Sequence, residues 1–279
     1  MKITQFMERV AERIRDWNVA VQSTLETETS LVAFGTRGNQ PVVLKVIRQP
    51  GDEWRCGEVL RAFDGRGMVR VYEYTEGAVL LEMLNPGTSL AAVALNGRDE
   101  EATEIIADLI QRMSPAKSSN GFATAEDWGM GFQRYLASGD NQIPIGLVEE
   151  GQHRYTNLCL TQKDVRLLHG DLQHYNILFD IERSWTAIDP KGVVGEIEYE
   201  FGAGLRNPNE VPDVFCSREA IQRRLRRYER QSKLDVNRVL EWAFAQAVLS
   251  AIWSVEDGFA VDDNHSAIRL SNAIHPMLE

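Results

Sequence analysis

The chain has 279 residues, 43% hydrophobic and 25% charged, which suits a globular protein large enough for one big domain or two lobes with separate cores. A formal net charge of −11 disfavours nucleic acid as a partner and favours a cationic partner or none. The three cysteines, Cys56, Cys159 and Cys216, are far apart, odd in number and in no C-x-x-C pattern. They argue against a disulfide framework and a zinc site, and fit a reducing cytoplasm.

The first segment, MKITQFMERVAERIRDWNV, lacks an unbroken apolar stretch and is read as an amphipathic helix, not a signal peptide. VAVQSTLETETSLVAFGTRGNQPVVLKVI follows as two or three strands, with turns expected at residues 26–30 and 35–40. PGDEWRCGEVLRAF has helical character, with Trp54, Val59, Leu60 and Phe63 forming its apolar face. GMVRVYEYTEGAVLLEML is a hairpin turning at residues 75–77. NPGTSL then breaks the pattern, and EEATEIIADLIQRM begins a helical region interrupted by the loop SPAKSSNG. Helices are expected near residues 127–137, around 155–161, and near 218–231 and 236–256. No run of 18 apolar residues occurs, so no membrane span is expected. The fold class is therefore α+β: a small antiparallel β lobe with one internal helix over residues 1–84, and a larger, mainly helical lobe over residues 85–279.

Within LLHGDLQHYNILFD, residues 167–180, two polar clusters interrupt apolar runs that look like short buried strands. HGDLQHYN has the form H-x-D-L-x-x-x-N, and Asp189 ends a second strand-like run 18 residues after Asp171. Phosphoryl transfer from a nucleotide needs this combination. One carboxylate, Asp171, takes or orients the proton of the attacking hydroxyl, while Asn176 and Asp189 offer oxygen ligands to Mg²⁺. A lone HGD is also what an ordinary turn looks like, since Gly and Asp are favoured there. The paired spacing lowers the weight of that reading, and an upstream lysine lowers it further.

That lysine is Lys45 in PVVLKVI, where apolar neighbours make an unpaired charge costly. A strand-edge lysine reaching water is the plain alternative. A phosphate-binding lysine predicts a helix carboxylate 8–15 residues downstream, with Glu58 the first candidate and Glu53 the second.

With these residues in view, the sequence resembles the aminoglycoside and hydroxyurea antibiotic resistance kinases, most narrowly the streptomycin 6-phosphotransferase group. The segments carrying the resemblance are VVLKV, LRAFDGRGMVRVYEY, LLEMLNPGTSL, LLHGDLQHYNIL, AIDPKGVVGEIEYEFGAGLRNP and SAIWSVEDG. HGD in place of the HRD of protein kinases, and no A-P-E-like segment after Asp189, set this branch apart. The resemblance implies a two-lobed protein-kinase-like fold, ATP (or GTP) and Mg²⁺ as cofactors, and a cytoplasmic enzyme that phosphorylates a small-molecule hydroxyl. Asp171 resembles the catalytic base, Asn176 and Asp189 the metal ligands, and Lys45 the phosphate-binding lysine. Backbone groups at Glu82 and Leu84 resemble the adenine-binding hinge. One departure is the strand turn LETETSLVAFG, which has no glycine at its tip. Ser30 is the residue that would serve the phosphates there, and Glu26 and Glu28 would repel them if turned inward.

On the acceptor side, Glu198 and Glu200 lie where the family builds its substrate wall, and Glu256 and Asp257 form part of a C-terminal acidic cluster. Carboxylates there would bind the guanidinium or ammonium groups of a small cationic or polyhydroxylated acceptor. A solvated acidic surface is the plain alternative. The arginines of SREAIQRRLRRYER spread around a helix and read as solvated or salt-bridged. Nothing in the sequence sets an oligomeric state. Two readings stand: a phosphotransferase acting on streptomycin-like aminoglycosides, hydroxyurea or a housekeeping alcohol, and a non-catalytic nucleotide-binding homologue. The second predicts loss of a catalytic carboxylate or of the lysine, and neither is lost.

Overall fold

Alternation along the second and third strands decides how the first part of the chain packs. The computed structural model describes residues 3–113, 121–231 and 234–278. Apart from Gly121, the loop SPAKSSNG lies outside them. The chain forms two units: Met1–Thr88 with Arg112–Pro115 and Ile177–Lys191, and Ser89–Gln111 with Ala116–Asn176 and Gly192–Glu279.

The first unit opens with helix α1 (Ile3–Asp16), followed by strands β1 (Ala20–Glu26), β2 (Ser30–Arg37) and β3 (Gln40–Ile47). A 3-10 turn (Asp52–Arg55) leads into α2 (Cys56–Phe63), then β4 (Val71–Thr75) and β5 (Ala78–Glu82). The strands form one antiparallel sheet in the order β1-β2-β3-β5-β4. Successive side chains of a strand point to opposite faces. Leu31, Ala33, Val42, Leu44 and Val46 therefore share one face, buried against Phe6 and Val10 of α1. Val32, Val43 and Lys45 take the other. Burying each large aliphatic side chain contributes about 1.5–3 kcal/mol, which is what holds α1 on the sheet.

The expected turn at 35–40 is narrower than its sequence suggests. β2 continues to Arg37, and the reversal is at Gly38, with φ 61°. Gly35 is a strand residue, not a turn residue: a Cβ there would lie 2.2 Å from the Ala20 carbonyl oxygen of β1. Its role is close strand approach.

The segment 177–191 packs with this unit. Ile177–Asp180 and Ser184–Ala187 pair as an antiparallel hairpin. Ala187 accepts from Val69 N–H and donates to Gly67 O, which fixes the chain two residues before Asp189.

The second unit is mainly helical: α3 (Leu90–Leu95), α4 (Asp99–Arg112), α5 (Ala125–Ser138), α6 (Ile145–Leu160), α7 (Ile197–Glu200), α8 (Gly202–Arg206), α9 (Pro212–Phe215), α10 (Arg218–Gln231), α11 (Val236–Glu256) and α12 (Ser266–Ile274). α11 is buried on nearly every side, with Trp242, Phe244 and Val248 in the core. Six of these helices correct the sequence reading; α7, α8 and α9, of four or five residues each, are too short to show a helical period. α3 follows NPGTSL directly, because Ser89 caps it by accepting from Ala91 N–H. α6 begins at Ile145, ten residues before the expected start, since Gly146 and Gly151 dilute its helical pattern. Gly151 is where α6 meets Phe132 and Val248, 3.1 Å from an added Cβ. α12 was not expected at all; His265 accepts from Ala267 N–H at its start. The arginines of α10 are salt-bridged: Arg224 is buried on Asp99 and the carbonyls of Gly204 and Leu205, and Arg227 pairs with Glu100 and Glu104.

Candidate active site

In the first unit, the sheet face opposite α1 lines a cavity of about 670 Å³. Val32, Phe34, Val43 and Leu81 supply apolar walls, joined by Leu178 and Ile188. Thr27, Thr29, Ser30, Lys45 and Asp189 supply its polar groups. Mostly apolar walls with a few convergent polar groups are the usual composition of a ligand site.

Lys45 reaches this face because β3 pairs it with Val32 on one side and Val79 on the other. Its side chain is 12% exposed, and its ammonium lies 2.7 Å from Glu53 Oε2 and in hydrogen-bonding contact with Asp189 Oδ1. Burial opposes the charge, but Asp189 and Glu53 outweigh it and hold the lysine protonated above its usual range. Glu53 also meets Lys191, whose Nζ lies 2.5 Å from Oε1. Burial would raise the Glu53 pKa, yet Lys45 and Lys191 bring it down to about 2. Asp189 has a left-handed backbone with φ 58°. That conformation is uncommon for a residue with a Cβ, and non-glycine residues in it concentrate at functional sites.

The carboxylate paired with Lys45 is thus Glu53, the second sequence candidate. Glu58, the first, lies in the first turn of α2 and binds Arg55 and Tyr74 Oη, the latter at 2.9 Å. The 3-10 turn before α2 explains the difference, since it places Glu53 ahead of the regular helical face on which Glu58 was read.

At the cavity's other walls, the turn between β1 and β2 is closed on itself. Thr27 N–H donates to Ser30 O at 2.9 Å, Ser30 N–H donates to Thr27 Oγ1 at 2.9 Å, and the two hydroxyls lie 2.9 Å apart. Ser30 lines the cavity, but it is 1% exposed and its hydroxyl is engaged by Thr27. Glu26 pairs outward with Arg48 at 2.7 Å. Glu82 and Leu84 both line the cavity. The Glu82 N–H is used by Arg70 O at 3.1 Å, and its carboxylate takes Arg70 N–H and Arg183.

In the second unit, Asp171 and Asn176 are joined directly. Asn176 Nδ2 donates to Asp171 O at 2.9 Å and to Asp171 Oδ2 at 3.1 Å. The five-residue spacing therefore closes one loop around a shared hydrogen bond. Gly170 makes the loop possible: its φ is 83°, and a Cβ there would lie 2.8 Å from the Trp128 ring. His169 is fully buried, and its Nδ1 accepts from Asp171 N–H at 3.2 Å. His174 is buried too, and burial followed by the nearby Arg224 charge keeps it neutral.

Glu200 belongs to this loop's support. It is 2% exposed and accepts from His169 N–H and from Gly170 N–H at 3.0 Å. Burial raises its pKa to about 7, against the pull of those two N–H donors, and Asp171 pushes the same way as burial. Glu196 is likewise internal, taking Arg238, Trp242 Nε1 and Lys163 N–H. Glu198 is half-buried, and burial raises its pKa. Glu256 is held by Arg134 through two contacts of 2.9 and 3.3 Å, and Asp257 is exposed at the C-cap of α11.

Among the described residues, no group of three or more His, Cys, Asp or Glu side chains is arranged to hold a metal ion. Asp189, in the first unit, and Asn176, in the second, each carry a hard oxygen donor of the kind Mg²⁺ binds. Residues missed by sequence reasoning are Lys191 and Trp128; the only signal for Lys191 was its place in DPKG, two residues past Asp189.

A family model described as aminoglycoside/hydroxyurea antibiotic resistance kinase matches residues 16–258. The streptomycin 3''-kinase of Klebsiella pneumoniae is 30% identical over 241 residues, which are 84% of this chain and 87% of that protein. The hydroxyurea phosphotransferase of Kitasatospora aureofaciens is 28% identical over 263 residues, 90% of this chain and 73% of that one. Among solved structures, a thermostable mutant of aminoglycoside phosphotransferase APH(4)-Ia, in ternary complex with ADP and hygromycin B, matches with a TM-score of 0.68. Sequence identity there is 15%, over 100% of this chain and 98% of that one, so the likeness speaks to the fold: a mixed α+β, protein-kinase-like one.

Proposed function

The chain belongs to the aminoglycoside/hydroxyurea antibiotic resistance kinase family, a phosphotransferase with an alcohol acceptor, and we propose that it moves the γ-phosphate of ATP to a hydroxyl of a streptomycin-like aminoglycoside. The observation that carries this reading is the Lys45 ammonium, held between Glu53 and Asp189 at the wall of an otherwise apolar cavity. Adenine takes the apolar walls and the linker at Leu84, and the phosphates lie toward Lys45.

In the reaction, the acceptor oxygen attacks the γ-phosphorus. The bond from that phosphorus to the β,γ-bridging oxygen breaks, its electron pair leaves with ADP, and the hydroxyl proton passes to the Asp171 carboxylate. Asn176 keeps that carboxylate oriented through its 3.1 Å hydrogen bond. Glu200 acts one step back, as a positioning residue that holds the backbone of His169 and Gly170. Asp189 and the Oδ1 of Asn176 are the atoms that would hold Mg²⁺, which when bound neutralises charge on the phosphate oxygens. Glu198 and Asp257 are the acceptor-side carboxylates for cationic groups, since the Glu256 carboxylate is engaged by Arg134. Unpaired Cys56, Cys159 and Cys216, together with dependence on ATP, support a cytoplasmic enzyme. No helix among the described residues is long and apolar enough to cross a membrane.

The test is a coupled ADP-release assay with ATP and Mg²⁺ across streptomycin, other aminoglycosides, hydroxyurea and simple amino alcohols. Turnover on streptomycin, lost in Asp171→Asn, supports the reading. Turnover confined to hydroxyurea or an amino alcohol would keep the chemistry and replace the acceptor.

A further inference from the structure

Glu53 is shared between two lysines. Its Oε2 lies 2.7 Å from Lys45 Nζ and its Oε1 2.5 Å from Lys191 Nζ, so the two ammoniums stand one carboxylate apart. We propose that Lys191 is a second phosphate-binding residue, one that contacts the terminal phosphate of a nucleoside triphosphate. The inference rests on the nucleotide-dependent reading above.

Donor supply is the first argument. An ammonium has three N–H donors and no acceptor. Lys45 directs one at Glu53 and one at Asp189, which leaves a single donor for the phosphates. The strand turn that faces the same cavity adds little, because it has no glycine and two of its N–H groups are spent inside it. Thr27 N–H goes to Ser30 O and Ser30 N–H to Thr27 Oγ1. A triphosphate carries up to four negative charges, and these two elements together meet few of them. Mg²⁺, when bound, would offset part of that charge, and a second ammonium beside Lys45 would offset more; among the described residues Lys191 shares the Lys45 carboxylate.

Placement is the second argument. Lys191 follows Asp189 by two residues, and the left-handed backbone of Asp189 turns the chain so that both side chains reach the Lys45–Glu53 pair. The Lys191 side chain is 28% exposed, against 12% for Lys45, so it is the outer of the two ammoniums. A four-carbon stem lets such a group move from a carboxylate to a phosphate oxygen over a short distance. Charge favours that exchange: a triphosphate offers Lys191 more negative charge than the single Glu53 carboxylate it shares with Lys45.

Calorimetric binding of ADP and of the non-hydrolysable triphosphate AMP-PNP, each with Mg²⁺, tests this without any acceptor. Wild type, Lys191→Met and Lys191→Arg are compared. Loss of one charge-assisted contact should weaken AMP-PNP binding by about tenfold or more in Lys191→Met, with ADP changed by less than about twofold. Lys191→Arg should recover most of the AMP-PNP affinity. If ADP and AMP-PNP weaken together in Lys191→Met, Lys191 is only a strap on Glu53 and the proposal is overturned; equal affinities in all three proteins overturn it as well. If wild type binds neither nucleotide, the nucleotide-dependent reading itself fails, and this inference falls with it.

Discussion

Lys45 and Glu53 meet at 2.7 Å across the wall of the first unit's cavity, while Glu58, five residues further on, faces Arg55 and Tyr74. The pair joins a strand residue to a 3-10 turn, so it depends on tertiary packing and not on local spacing.

Exchanging the two glutamates should separate their roles. Glu53→Gln removes the anionic partner of Lys45, and kcat/KM for ATP should fall by about 10–100-fold. Glu58→Gln touches only a half-exposed pair and a tyrosine hydroxyl, and should stay within about twofold of wild type. Steady-state kinetics on both variants decides it; a loss confined to Glu58→Gln would reverse the assignment.

Acid stability should report the same carboxylate. Lys45 and Lys191, acting against burial, depress the Glu53 pKa to about 2 from 4.5. A depressed carboxylate pKa contributes stability that is present above the unfolded value and lost as pH falls through the folded one. The stability advantage of wild type over Glu53→Gln should therefore shrink between pH 4.5 and about 2. Urea unfolding of both proteins across that window measures it. A constant difference would mean that Glu53 is not held ionised by the lysines.

Glu200 should behave in the opposite sense. Burial raises its pKa to about 7 from 4.5, so the folded state binds the extra proton in that window, and stability falls as pH rises through it. The wild-type chain should lose stability relative to Glu200→Gln from pH 4.5 toward 7. Glu200→Ala leaves the N–H groups of His169 and Gly170 without their acceptor and should cost about 2–5 kcal/mol at neutral pH. Denaturant unfolding gives both numbers, and a neutral Glu200→Ala would show that the loop needs no such support.

Asp171→Asn should reduce turnover by about 10²–10⁴-fold, the usual worth of a positioned general base. Its amide fits the same volume, and Asn176 Nδ2 can still donate to an oxygen there, so folding and nucleotide affinity should be kept. Circular dichroism, nucleotide titration and turnover measured on one preparation check the three statements together.

Much of this arrangement was legible in the chain because it depends on short spacings. Alternation in PVVLKVI sends Lys45 to the face opposite Leu44 and Val46, and HGDLQHYN closes one loop from Asp171 to Asn176. The β-rich start, the hairpin after α2 and the long helix α11 follow from the same local periods. Elements without a strong local period were missed: α3 behind a breaker, α7, α8, α9 and α12 as short helices, and most of α6, where Gly146 and the closely packed Gly151 dilute the pattern.

The sequence by itself determined which residue types bring phosphoryl-transfer chemistry and how Asp171, Asn176 and Lys45 are locally presented. Only the tertiary structure decided their partners. Glu53 was taken over Glu58, Lys191 was brought onto the same carboxylate, and Glu200 was turned from a substrate-wall candidate into a buried acceptor for the loop backbone. The reason is physical: periodicity along a strand or a turn sets which way a side chain points, but the partner it meets comes from segments far along the chain. Burial then makes each of those meetings obligatory, because a charge or an N–H removed from water must find its counterpart.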